Sequence, residues 1–478
     1  MSLGNKMFLG MVWNALERIS IQAVSFVLGI ILARLLTPTE YGTVGLLIVF
    51  ISFSQVFIDS GFSKALIQRQ ERTDDDISTV FIFSIFIALL FYAILWVTAP
   101  FIANFYEIIE LTNLLRVLAI SLIFNALFSI PLTLFTINLN FKVIAKVNFI
   151  ATLISGAIAV YMAYKGYGAW ALVGQTLLKS IITAILMWTQ VKWRPTWVFS
   201  IPSLKTLFSF GSKLLISSLL SNLVNNFYSL FIAKLISTKD LGYYTRGTQF
   251  SDTVYGSIST IFDNVLLPTL STVQDQRDIL IQHTRRIIRS AAIIVLPLFL
   301  GLSVMAEPII TVLLKEKWLP AVPIMQILCI ARLITIISGI NVNLLYVIGR
   351  TDLALRQQYV KLVIRVILLI VALKYGIIYI AFAELASTAI HFFINTYYPG
   401  KIMRYGALNQ IKDMMPIILS SIAMTLFAYI CMLWIHNDIL KLCIVPILAA
   451  AFYFGVIYTL KLPELFFLID KIKSINKK

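Results

Sequence analysis

Charge is what this chain has least of. Asp, Glu, Lys and Arg make up 13% of its 478 residues, where a soluble globular domain carries about 25%. So few charges cannot cover a water-facing surface. With 59% hydrophobic residues and a mean hydropathy of +0.90, the chain reads as a polytopic membrane protein whose solvent is mostly lipid. Cysteine and histidine are nearly missing as well. Cys329, Cys431 and Cys443 all lie in apolar runs and read as buried thiols, and an odd count so placed excludes a disulfide framework. His283, His391 and His436 are scattered and offer no metal-ligand spacing. No Walker-type Gly-Lys-Ser/Thr loop, nucleophile elbow or His-Glu-x-x-His is present, so ATP hydrolysis and hydrolase chemistry are not expected. The longest loop is about 20 residues, and a compact domain needs at least about 50, which leaves no room for a separate catalytic module. The chain is therefore read as a non-enzyme with no metal and no cofactor. Lys6 runs straight into an apolar stretch with no small-residue cleavage site, so the first span is expected to stay as an anchor.

What is there is long apolar runs. A helix needs about 20 mostly apolar residues to cross a bilayer, and about 14 runs qualify. They cover residues 9–35, 41–58, 78–99, 113–137, 147–164, 168–190, 206–236, 242–270, 288–314, 322–348, 358–374, 376–398, 414–434 and 439–460. The expected fold is all-α. The formal net charge of +17 suggests orientation rather than nucleic acid, because cytoplasmic loops collect Lys and Arg. With the N-terminus inside, roughly 24 of the 39 bases fall on the cytoplasmic side and roughly 8 opposite. Both termini are accordingly expected in the cytoplasm.

The chain also repeats itself. Ala33-Arg34-Leu35-Leu36-Thr37-Pro38-Thr39-Glu40-Tyr41-Gly42 is matched by Ala233-Lys234-Leu235-Ile236-Ser237-Thr238-Lys239-Asp240-Leu241-Gly242. Both run small, basic, apolar, apolar, hydroxyl, then acid, apolar, glycine. Tyr167-Gly168 before the sixth span is echoed by Tyr375-Gly376 before the twelfth. Two similar six-helix lobes follow, residues 1–200 and 201–400, with 401–478 supplying two additional helices and a basic tail. An even number of spans per lobe makes them parallel repeats, the arrangement of transporters with two rocking halves. Residues 191–205 are the expected linker.

An ionised side chain at mid-bilayer costs about 2.5–3.5 kcal/mol on the insertion scale and usually faces a bundle interior or a water-filled cavity. Glu17, Arg18, Arg116, Lys179, Lys213, Arg246, Asp252, Asp263, Arg332, Arg365 and Glu384 all fall within spans. Arg116 and Lys213 lie near span ends, where snorkelling to the interface is the bland account. Polar residues also recur at helical spacing: Arg18, Gln22 and Ser25 in the first span, Ser218, Asn222, Asn225 and Ser229 in the seventh, and Arg246, Gln249, Asp252 and Thr260 in the eighth. Residues so spaced share a face. Such stripes can be interhelical hydrogen-bond glue or the lining of a hydrophilic cavity. Bases outnumber acids within the spans, which fits a cavity for an anion.

Ala33 to Pro38, Glu40-Tyr41-Gly42, Asp59-Ser60-Gly61-Phe62 and Gln68-Arg69 resemble the polysaccharide transporter family of the multidrug/oligosaccharidyl-lipid/polysaccharide flippase superfamily, the Wzx-type flippases. Leu114-Leu115-Arg116 and Asn138-Leu139-Asn140-Phe141-Lys142 are similar to its colanic-acid-type exporters. The resemblance implies a two-lobed bundle of 14 helices working by alternating access. The cargo it implies is an oligosaccharide on polyprenyl pyrophosphate, moved from the cytoplasmic to the periplasmic leaflet of a bacterial inner membrane for lipopolysaccharide or exopolysaccharide synthesis. It implies membrane lipid and a polysaccharide polymerase complex as partners, and an ion gradient as the energy source. From their place inside apolar spans, and not from the resemblance, Arg18, Lys179, Arg246, Arg332 and Arg365 are expected to give the cavity its positive potential, with Gln22 on the polar stripe of the first span lining it and Asn222 and Asn225 facing the sugar. Glu17, Asp252 and Glu384 are the candidates for exchanging a proton or sodium ion. The competing account pairs Arg18 with Glu17 and Arg246 with Asp252 as structural ion pairs. The rival functions are a multidrug or cation antiporter of the same superfamily and a non-transporting scaffold of a polysaccharide assembly complex.

Overall fold

Apolar runs become helices throughout the computed structural model, which describes residues 21–59, 62–69, 72–196, 198–271, 273–274 and 276–461. Among these residues there is no strand. The helices are α1 (Ile21–Leu35), α2 (Pro38–Asp59), α3 (Phe62–Gln68), α4 (Asp74–Tyr106), α5 (Leu111–Ile137), α6 (Phe141–Tyr164), α7 (Ala169–Gln190) and α8 (Ile201–Leu235). They continue as α9 (Thr238–Ser271), α10 (Arg277–Val304), α11 (Ala306–Leu314), α12 (Val322–Val347), α13 (Thr351–Ala372), α14 (Ile377–Met403), α15 (Ala407–Trp434) and α16 (Asp438–Thr459). Ten described segments are long and apolar enough to cross a membrane, so the chain is an all-helical, multi-pass membrane protein. The described part of α1 is short of a span, while α8, α9 and α13 are long enough but more polar; α13 carries Arg356, Lys361 and Arg365.

Two expectations about individual segments change. The run 288–314 is two helices, α10 and the short α11, broken at Met305. Cys329 is buried as expected, but Cys431 is half-buried and Cys443 is exposed on α16, so the apolar runs do not bury all three thiols.

The contacts divide the chain into two compact units, residues 1–242 and 243–478. This boundary falls after the expected linker because α8 packs on α2. The linker itself is not helical over 191–196 and 198–200. It is pinned along α4, where the Thr196 and Ser200 amides donate to the Ser78 and Thr79 hydroxyls at 3.2 and 2.9 Å.

In the first unit α5 is the buried centre. Leu111, Leu114, Leu115, Leu118, Leu122, Ala126 and Ile130 have no exposed surface, and their three- and four-residue spacing puts them on one broad stripe. In the second unit α12 has this role through Ile324, Met325, Leu328, Cys329 and Ala331. The outer helices show the reverse pattern. α13 exposes Leu355, Tyr359, Val363, Ile367 and Ile370, and α16 exposes Ile447 and Phe454, as lipid-facing helices should.

The two copies of the opening motif fold alike and meet. In the first, the Thr37 amide donates to Glu40 at 2.6 Å and the Glu40 amide to the Thr37 hydroxyl at 3.3 Å, a reciprocal capping box at the start of α2. In the second, the Asp240 amide donates to the Ser237 hydroxyl at 3.0 Å, and that hydroxyl donates to the Asp240 carboxylate at 2.5 Å. A Cβ on Gly42 would stand 1.7 Å from the Thr238 carbonyl oxygen, and one on Gly242 would stand 1.9 Å from that of Pro38. Backbone touches backbone here, so no larger residue fits at either place. Gly168, at φ +55°, is also tied in: a Cβ there would stand 2.5 Å from Glu40 Oε1.

Candidate charge network of the second unit

Three helices of the second unit each carry one costly side chain to a common point. α9 brings Asp252, α12 brings Arg332 and α14 brings Glu384. Arg332 donates through Nε to Asp252 and through Nη1 to Glu384, the latter at 2.6 Å. The Tyr244 hydroxyl, two turns before Asp252 on the same face of α9, donates to the other oxygen of Glu384 at 2.5 Å. The Tyr255 ring stands 5.8 Å from the guanidinium. The exposures are unequal. The Glu384 side chain is 5% exposed, Arg332 16% and Asp252 46%. Glu384 is thus an enclosed carboxylate that depends on its partners, and Asp252 is the least enclosed member of the three. A pair of this kind returns its desolvation cost only with good geometry, and losing one member leaves an uncompensated buried charge.

The polar path continues along α14. Glu384, Thr388, His391 and Asn395 recur at helical spacing. The Thr388 hydroxyl donates to the Glu384 carbonyl at 2.8 Å, and Asn395 Nδ2 donates to Ser338 Oγ at 2.7 Å. His391 Nε2 lies 3.1 Å from Ser387 Oγ and 3.2 Å from the Lys361 carbonyl. Arg365 stands close enough to act electrostatically on both Glu384 and His391.

The expected site residues divide between the units. Arg246, Arg332, Arg365, Asp252 and Glu384 lie in the second, and Arg332, Asp252 and Glu384 converge. Arg246 does not pair with Asp252, as the structural account of the sequence had it. It is 8% exposed, donates to Gln249 one turn on, and faces the Trp318 ring at 6.0 Å. Asp252 is taken by Arg332 instead, from 80 residues away. In the first unit Lys179 is half-buried on α7 and Gln22 is exposed on α1. Asn222 on α8 exchanges contacts with Ser52 of α2, both at 3.4 Å, and accepts from Asn226 at 3.1 Å. Arg116, near the start of α5, lies over the Trp96 ring at 4.4 Å and donates to the Trp96 carbonyl, as a snorkelling base would. Glu17 and Arg18 lie outside the described residues, as do the side chains of Asn225, Lys213 and Asp263.

Tyr244 and His391 carry no signal of cost in an apolar run, so the sequence reading passed over them. The α14 stripe was legible in principle from the spacing of Glu384, Thr388, His391 and Asn395.

Comparison with known proteins gives this architecture its relatives. A family model described as polysaccharide biosynthesis protein matches residues 31–323. The teichuronic acid biosynthesis protein TuaB of Bacillus subtilis (strain 168) is 28% identical over 436 residues, covering 90% of this chain and 89% of that protein. The succinoglycan biosynthesis transport protein ExoT of Rhizobium meliloti (strain 1021) is 25% identical over 324 residues, 67% of this chain and 65% of that one. Among solved structures, the lipid II flippase MurJ in an inward closed conformation aligns with a TM-score of 0.74 at 17% identity, over 94% of this chain and 98% of that chain. That likeness is one of fold.

Proposed function

The chain belongs to the polysaccharide biosynthesis protein family, and from that membership we propose that it is a flippase for a polyprenyl-pyrophosphate-linked oligosaccharide. It carries its cargo from the cytoplasmic to the periplasmic leaflet of a bacterial inner membrane, for assembly of a surface polysaccharide. In this reading 14 helices cross the membrane, both termini are cytoplasmic, and the lobes 1–200 and 201–400 work by alternating access. The names of the relatives TuaB and ExoT, and the shared fold with a lipid II flippase, support the cargo class.

The observation that carries the mechanism is the sharing of Arg332 between Asp252 and Glu384. A guanidinium so held is not available to a pyrophosphate. It becomes available when a proton or sodium ion neutralises one of its carboxylates, and the exposed Asp252 is the accessible one. Ion entry then frees a planar, bidentate donor for the anionic cargo, and departure of the cargo lets the pair reform and expel the ion. Lys179, Arg246 and Arg365 contribute the standing positive potential. The twin loops at Gly42 and Gly242, periplasmic in this orientation, are the contact that seals the outer side.

The test is reconstitution of the full chain in vesicles with a labelled polyprenyl-pyrophosphate oligosaccharide, followed by leaflet assignment. Label should cross, and faster under an imposed proton or sodium gradient. Asp252→Asn should cross at a rate that no gradient changes. If no label crosses under any gradient, the scaffold reading stands instead. If Asp252→Asn responds to the gradient as the parent does, the coupling is placed wrongly.

A further inference from the structure

A groove of about 360 Å³ opens between α13 and α14, beside the exposed apolar side chains Val360, Val363 and Phe393. Its walls are Val360, Ile390 and Phe393, its rim holds Arg356 and Tyr397, and Gln357 closes its back. That volume is within the ~300–1,000 Å³ range of ligand clefts. We propose that this groove binds an anionic phospholipid of the cytoplasmic leaflet, its phosphate on Arg356 and one acyl chain along the apolar walls.

Three observations fix the occupant. The first is depth. Arg356 lies in the second turn of α13, about 8 Å along the axis from Thr351, and the headgroup layer of a bilayer is about 5–8 Å deep on each side. With Thr351 at the cytoplasmic surface, as the proposed topology requires, the guanidinium stands at phosphate level, Tyr397 lines the groove with it as an interfacial aromatic should, and Val360, Ile390 and Phe393 lie deeper, among the chains. The second is charge. Arg350, six residues earlier, is engaged by Asp352 through two hydrogen bonds at 3.0 and 3.1 Å. Arg356 has no ion-pair or hydrogen-bond partner among the described residues, which leaves its fork open to a phosphate. The third is the back wall. Gln357 is 3% exposed and donates to the Ile394 carbonyl at 2.6 Å, while its Oε1 has no hydrogen-bond partner. An unspent acceptor in an otherwise apolar wall calls for a ligand donor nearby, and the headgroup hydroxyls of phosphatidylglycerol are such donors.

Native mass spectrometry of the detergent-purified full chain tests this, with phosphatidylglycerol and phosphatidylcholine of equal chain length as probes. The parent should retain phosphatidylglycerol in preference. Arg356→Ala should weaken that retention about tenfold, the worth of one charge-assisted hydrogen bond. Ile390→Trp, which fills the groove and keeps every charge, should weaken it too. Arg286→Ala, which removes an exposed base elsewhere, should leave it intact. The proposal is overturned if the parent retains both lipids equally, if Arg356→Ala and Ile390→Trp both bind as the parent does, or if Arg286→Ala loses as much as Arg356→Ala. It is also overturned if undecaprenyl phosphate displaces phosphatidylglycerol at equal concentration, since the groove would then belong to the cargo's tail.

Discussion

In the first unit α2 and α5 are joined by a neutral pair, Asn125 Nδ2 donating to Gln55 Oε1 at 2.9 Å. In the second, the helices of the same rank in the repeat, α9 and α12, are joined by Asp252 and Arg332. One helix pairing is thus held by amides in one unit and by charges in the other. Amides bring two partly buried groups together and leave no charge behind when parted. The charged version carries a desolvation cost even when intact and leaves an uncompensated charge behind when broken. The repeat thus carries a neutral amide pair in one unit and an ion pair at the matching place in the other.

The largest effect should come from breaking the charged joint. Arg332→Ala leaves Glu384 enclosed without its cation and should cost about 3–5 kcal/mol, read as a fall in the melting temperature of the detergent-solubilised chain. Adding Glu384→Gln should recover much of that loss, because the orphaned charge goes with it. If the double variant melts no higher than Arg332→Ala, the network is not the source of the cost.

Next come the positions where the two copies are alike. Gly42→Ala and Gly242→Ala each drive a methyl group into backbone and should each cost about 1–3 kcal/mol. The two losses should be similar, because the contact is mutual. A large inequality would mean that one loop gives way and that the likeness is superficial.

Breaking the amide pair should cost less. Asn125→Ala should lower stability by about 0.5–1.5 kcal/mol, the net worth of a hydrogen bond, and should leave the response of transport to an ion gradient unchanged. A lost gradient response would erase the contrast between the two frames.

The smallest effect belongs to Glu107, at the C-terminal end of α4. The hydrogen bond from Lys234 at 2.9 Å, and then the charge of that lysine, hold the Glu107 carboxyl below its ordinary range. Its contribution is present above the unfolded carboxylate's pKa and is lost as pH falls through the lower folded value. Glu107 is 81% exposed, so solvent screening keeps the effect small. Glu107→Gln should slightly flatten the acid limb of a melting-temperature profile and change nothing near neutrality.

The frame was legible because hydrophobic length is a local property. Runs such as 78–99 and 113–137 lie within α4 and α5, and the twin motifs are visible as letters as well as in their capping hydrogen bonds. The cost argument also picked out Asp252, Arg332 and Glu384 one by one. It could not pair them, since partners 80 and 52 residues apart meet only through the packing of α12 with its neighbours. Sequence proximity favoured Arg246 for Asp252, and that pairing failed because Arg246 turns instead to Gln249 and Trp318. The break at Met305 was hidden for a related reason: residues 288–314 are apolar throughout, and hydropathy does not register a change of helix axis.

The mutual approach of Gly42 and Gly242 has a consequence for ancestry. When each of two equivalent patches touches the other, the contact is isologous, the geometry of a two-fold homodimer. A half-length ancestor bearing this loop would have met a second copy of itself through the same surface. Every substitution there would have struck twice, once from each side. In a single chain that constraint is absent, and the two copies differ, with Pro38 in one where the other has Thr238 and Glu40 where the other has Asp240. The two glycines are the same in both copies, and neither side has room for a larger residue.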